Sequence, residues 1–148
     1  MLEISWNANI ELPNKMIIDR QLKQWLWLVP GWVQVLHINL WDEDGRNEGV
    51  RASVQVNYEY RNVTVSIYGS WLCDSAQDQA KELLHELLHI PLSLIADYAR
   101  DQINILCPTD EAARFNKTML NTLAERHESA TQDLTKAIYA RFRQTAAE

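Results

Sequence analysis

The run Leu83-Leu84-His85-Glu86-Leu87-Leu88-His89-Ile90 constrains this chain more than any other stretch of it. Its five aliphatic residues fall at spacings that ask for a strongly buried helix, yet the same segment carries two imidazoles and a carboxylate. Burying such groups without partners is costly, so a fold that buries this helix must also give them something to bind. Positions four apart on a helix lie one turn apart on one face, which lets the rings of His85 and His89 converge on a single atom. Glu86 is turned by about 100° from His85. It therefore sits beside the point of convergence and not on it. Two histidines holding a zinc ion, with a carboxylate placed to deprotonate a water at the ion's open position, require this spacing.

By composition alone, His-Glu-x-x-His arises in roughly one chain of this size in a few hundred, so the apolar helical setting adds to the motif. The competing reading makes His85 and His89 satisfied core histidines and Glu86 a surface residue. His37 falls on an expected strand and is read as a half-buried structural residue.

The 148 residues, 47% of them hydrophobic, suit one domain over 1–148 with a proper core. No apolar run approaches a membrane span, and the first residues lack a basic-then-apolar signal layout, so a soluble cytoplasmic protein is expected. Cys73 and Cys107 are too few for a disulfide framework and form no C-x-x-C pair, which suits reduced thiols. A net charge of −6 with scattered basic residues argues against a nucleic-acid surface. Arg141 and Arg143 are the nearest approach to a basic cluster and suit a helix C-terminus instead. Six tryptophans, at 6, 25, 27, 32, 41 and 71, are expected to fill core or cover a groove.

The order expected is helix, three antiparallel strands, then helices: an α+β fold. Pro13 suits a first helical position, with Met16, Ile17, Trp25 and Leu28 at helical spacings up to Pro30-Gly31. Residues 32–41 read as a buried strand, followed by a polar loop at 42–45. Residues 50–60 alternate, with Val54, Val56 and Tyr58 on one side and Ser53, Gln55 and Asn57 on the other. Arg61-Asn62 makes the turn, and Val63, Val65 and Ile67 carry the returning strand to Gly69-Ser70. Ser75 and Asp78 resemble a capping pair for the motif helix, which should end near Ile90 because Pro91 follows. A second helix over about 92–106 is expected to turn away, closed by Cys107-Pro108. Thr109, Asp110 and Glu111 open a last helix reaching about Arg143.

A catalytic zinc wants a third protein ligand. Glycine and histidine three and six residues after the second motif histidine would supply one on the metzincin pattern, but Leu92 and Ile95 stand there. The dense group of candidates downstream is Glu125, His127 and Glu128. The apolar stripe Met119, Leu123, Ala130, Leu134, Ala137 and Ile138 includes His127, leaves Glu128 at its margin and turns Glu125 toward solvent. Helical phase thus favours His127, whose plainer reading is a core histidine. Asp97 and Asp101 are weaker candidates that a solvated face explains. Tyr58, Tyr60, Tyr68 and Tyr98 are possible oxyanion donors, but no spacing selects one.

From residue 32 to about 140 the chain resembles the small zinc peptidases of the gluzincin type, in particular minimal zincin-like domains with a three-stranded sheet, a motif helix and a glutamate-bearing helix. It is similar as well to phage and prophage proteins with His-Glu-Leu-Leu-His and a late helix that begins Glu-rich. The resemblance rests on residues 85–89 and on His127-Glu128-Ser129-Ala130-Thr131-Gln132-Asp133-Leu134. It implies a glutamate as third ligand, hence Glu128, with Zn2+ as cofactor and a peptide or protein as substrate. Gln132 departs from the pattern, which places aspartate four residues after the ligand glutamate. The function expected is zinc-dependent peptide hydrolysis, with Glu86 as general base. The alternative is an inactive or regulatory phage-type binding module that keeps a structural zinc. In minimal peptidases a terminal segment can fill the cleft, a role for which residues 1–12 are available.

Overall fold

The computed structural model describes residues 1–41, 50–106 and 113–145, with only the backbone of residues 113 and 114. It separates into two compact units, Met1–Ile90 and Pro91–Glu148. In chain order the elements are β1 (Glu3–Trp6), α1 (Leu12–Trp25) with a 3-10 turn at Leu26–Leu28, β2 (Val35–Trp41), β3 (Ala52–Asn57), β4 (Asn62–Tyr68), α2 (Gly69–Leu72), α3 (Ala76–Leu106) and α4 (Ala113–Thr145). The class is α+β, as the residue pattern predicts.

The sheet differs from the expected three antiparallel strands. It has four strands in the order β1-β2-β4-β3. β1 runs parallel to β2 and β2 parallel to β4, while β3 and β4 form the antiparallel pair. Parallel neighbours need a crossover between them, and α1 provides one from β1 to β2. Residues 3–6 are thereby committed to the sheet, where Glu3 N–H donates to Gln34 O and Asn7 N–H to Ile38 O, both at 2.9 Å. That pairing takes much of the 1–12 segment out of the role of cleft filler. The expected polar loop after Trp41 lies outside the described residues.

The two-residue period places one apolar face on the central strands. Leu36 pairs with Val63 and Ile38 with Val65, and all four are fully buried together with Ile67. β3 continues the layer through Ala52, Val54 and Val56, opposite Ile67, Val65 and Val63. The opposite face is polar, with His37 beside Thr64 and Asn39 beside Ser66. His37 is half-buried there, as its strand position suggested. Arg61 closes the hairpin with φ of 53°, a left-handed conformation held because its carbonyl accepts from Gln34 N–H at 2.7 Å.

The buried stripe of α1 is Ile18, Leu22 and Trp25 with Gln21, whereas Met16 and Ile17 are exposed. Gln21 is tolerated inside because its Oε1 accepts from Gln24 Nε2 at 2.8 Å. Of the six tryptophans, Trp25 and Trp71 fill the core, while Trp27 and Trp41 face solvent. Cys73 is a free, exposed thiol, and Cys107 lies outside the described residues. Among the described residues, no helix is long and apolar enough to cross a membrane.

Candidate metal centre

The motif helix is anchored at its start by chemistry that the sequence announces. Ser75 Oγ accepts from Asp78 N–H at 3.2 Å and donates to Asp78 Oδ2 at 2.6 Å, so the cap satisfies an amide that the first turn leaves without a helical partner. One turn on, the buried amide of Gln79 donates to the carbonyls of Trp71 (3.1 Å) and Leu72 (3.3 Å), joining α3 to the end of α2. Arg51 adds an ion pair to Asp74 at 2.8 Å, tying the start of β3 to the same corner. From there Ala80, Leu83, Leu84, Leu87, Leu88 and Ile90 are all buried. Such burial fixes the rotation of the helix and so the direction in which residues 85, 86 and 89 point.

His85 and His89 emerge half-buried from this apolar surround, and Glu86 is buried. The reading of Glu86 as a surface residue is thereby removed. The two Nε2 atoms stand 3.1 Å apart, with the rings edge to face, centroids 4.8 Å apart and planes at 85°. Zinc–nitrogen bonds of about 2.05 Å at a tetrahedral angle put two ligand nitrogens about 3.3 Å apart. The observed separation corresponds to an N–Zn–N angle of about 98° at that bond length, so the pair fits one ion with an adjustment of a few tenths of an ångström. The same distance suits an N–H···N hydrogen bond, in which one ring must carry its proton on Nε2. Ligation requires both protons on Nδ1.

In the second unit, α4 places His127 and Glu128 side by side in the wall of a pocket of about 360 Å³. Gln132 Nε2 donates to Glu128 Oε1 at 3.2 Å, so the residue that departs from the gluzincin pattern bonds the very carboxylate proposed as ligand. The expected apolar stripe of α4 is corrected: Met119, Ala130, Leu134 and Ala137 are exposed. The buried positions are Thr131, Thr135 and Tyr139, which continue by fours from the half-buried His127. Thr131 Oγ1 donates to His127 O at 2.9 Å and Thr135 Oγ1 to Thr131 O at 2.8 Å. These bonds occupy the hydroxyls and leave the methyls to pack, so threonine serves as a small apolar residue. His127 keeps its place on the inner face, and Glu125 is exposed as expected.

The helix does not end at Ile90. α3 is continuous through Pro91 to Leu106. Proline removes one backbone donor, toward the carbonyl of Leu87, and the flanking leucines and alanines sustain the remaining bonds. Asp97 pairs with Arg100 at 2.8 Å and Asp101 is exposed, in keeping with a solvated face. Tyr60 and Tyr98 are exposed. The expected helix start at 109–111 lies outside the described residues.

Arg100, which lines the same pocket as Glu128, was not singled out by the motif. Its signal was spacing: Ala96 and Arg100 follow His89 by seven and eleven residues, close to whole helical turns.

No protein family, curated protein or solved structure matches this chain.

Proposed function

We propose that this chain is a zinc-dependent peptide hydrolase in which His85 and His89 hold the metal through Nε2 and Glu128 supplies the third ligand. His127 is the neighbouring alternative for that third position. The observation that carries the reading is the 3.1 Å approach of two half-buried Nε2 atoms on a helix whose rotation is set by its buried leucines. Two imidazoles and one carboxylate are a donor set found in catalytic zinc sites, which keep one position open.

A bound zinc ion would supply Lewis acidity, bringing the pKa of water toward neutrality and polarising a carbonyl. The rest falls to this chain's own groups. Glu86 follows His85 directly and is turned about 100° around the helix from it, so its carboxylate acts beside the metal without competing for it. It takes a proton from the attacking water and delivers it to the departing amine. Glu86 is itself buried, which keeps this carboxylate away from bulk solvent.

A structural zinc with four protein ligands is the second reading. The adjacency of His127 and Glu128 on one pocket wall favours it, since both together would close the open position. Metal analysis and proteolysis separate the two. Purified protein should hold one zinc per chain and cleave a mixed peptide library, and Glu86→Gln should keep the zinc and lose the cleavage. Zinc retained with no cleavage by the native chain would favour the structural reading; no zinc at all would defeat both.

A further inference from the structure

The pocket beside Glu128 has a chemistry of its own. Ala96, Leu120, Leu123 and Ala124 give it apolar walls, Arg100 contributes a cation, and His127 and Glu128 complete the lining. Its volume of about 360 Å³ is at the small end of ligand sites, enough for one residue and not for a folded partner. The Arg100 guanidinium is already oriented by Asp97, but through a single Nη1–Oδ1 contact of 2.8 Å on a side chain that is 55% exposed. That leaves other donors of the planar fork to a ligand, and an exposed pair of this kind re-forms at little cost.

We propose that this pocket binds the C-terminal residue of a peptide, with the free carboxylate on Arg100 and an aliphatic side chain between Leu120 and Leu123. A carboxylate matches the guanidinium fork in charge and geometry. The apolar walls select between its two sources. A chain terminus carries a carboxylate and an aliphatic side chain on the same Cα, whereas an aspartate or glutamate side chain brings the charge without the apolar bulk. Binding stands on the pocket alone. Only the further step, that hydrolysis would act near the substrate's C-terminus, rests on the zinc hydrolase reading, through Glu128.

The test is an NMR titration of the full-length protein, once zinc-loaded and once with chelator, using N-acetyl-leucine, N-acetyl-leucinamide and N-acetyl-glutamic acid α-amide. The free acid should shift the amides of Leu123 and Ala124 and bind at least tenfold more tightly than the other two probes. Arg100→Met should abolish that preference, and Arg100→Lys should restore part of it. Equal binding of acid and amide, no binding of any probe, or a preference that survives Arg100→Met overturns the proposal. Tighter binding of the glutamate probe overturns it in favour of an acidic side chain. An acid preference in chelator, together with no cleavage of peptides by the zinc-loaded protein, would sink the hydrolase reading and leave the pocket assignment intact.

Discussion

Replacing His89 with alanine separates a metal centre from a pair of histidines that merely bond one another. In the metal-free protein the substitution removes the 3.1 Å contact between the two Nε2 atoms. A neutral hydrogen bond of that kind contributes about 1 kcal/mol, or roughly 2–4 °C of melting temperature for a chain of this length. With metal the arithmetic changes. Free zinc at 100 times its dissociation constant stabilises the native chain by about 2.7 kcal/mol, hence a rise of roughly 5–11 °C. Structural zinc sites contribute about 10–16 kcal/mol over four ligands, so one ligand carries roughly 3–4 kcal/mol, two to three decades in affinity. At the same zinc concentration His89→Ala should therefore show almost no rise.

The assay is thermal unfolding of both proteins with chelator and with a zinc titration, backed by elemental analysis after dialysis. The expected pattern is a small difference in chelator and a large one in zinc. A variant that rises with zinc as the native chain does would refute the argument. So would a native chain that zinc leaves unmoved, because the 3.1 Å contact would then be only a hydrogen bond.

Glu86→Gln should keep zinc content and melting temperature close to native while peptide hydrolysis falls by about 10²–10⁴, the usual contribution of a positioned general base, read by a fluorogenic peptide assay. Leu87→Ala empties a fully buried site behind the motif and should cost about 2–5 kcal/mol in urea unfolding, loosening zinc retention as a consequence. Ser75→Ala removes the cap of α3 and should cost about 1 kcal/mol, with Ser75→Asp holding most of it, a ranking that denaturant midpoints resolve. Arg61→Gly relieves a non-glycine residue at φ 53° and should raise the urea midpoint, by about 0.5–1 kcal/mol, without altering the slope; a lowered midpoint would show that the side chain does more there than strain the turn.

Local signals were legible, and pairings over long sequence separation were not. The cap at Ser75, the β3–β4 hairpin and the helical face shared by His85 and His89 are each decided within a few residues, by side chains that act on their own neighbours. The place of β4 between β2 and β3 is decided elsewhere. It depends on which buried face gains most from sharing Leu36, Ile38, Val63 and Val65 in one layer, and alternation alone gives each strand its face but not its neighbour. β1 is a still weaker signal, four residues whose partner lies across an intervening helix.

The errors on the later helices share one physical origin: residue type was taken for residue behaviour. Pro91 was read as a terminator, yet a single missing donor leaves the rest of the ladder of α3 intact. Thr131 and Thr135 stand outside the expected apolar stripe, yet each hydroxyl is spent on the carbonyl four residues back, so the inner face of α4 runs through threonines while Leu134 is exposed. That correction bears on the third ligand. The expected stripe set His127 within the apolar face and Glu128 at its edge. The observed stripe, by fours through Thr131 and Thr135, keeps His127 in line and leaves Glu128 one residue round, beside the pocket that also holds Arg100. The inner face therefore offers a ring and its margin a carboxylate. Glu128→Ala and His127→Ala assign the role by which of them releases zinc: loss on the first alone gives a site with an open position, and loss on both gives a closed one that cannot hydrolyse.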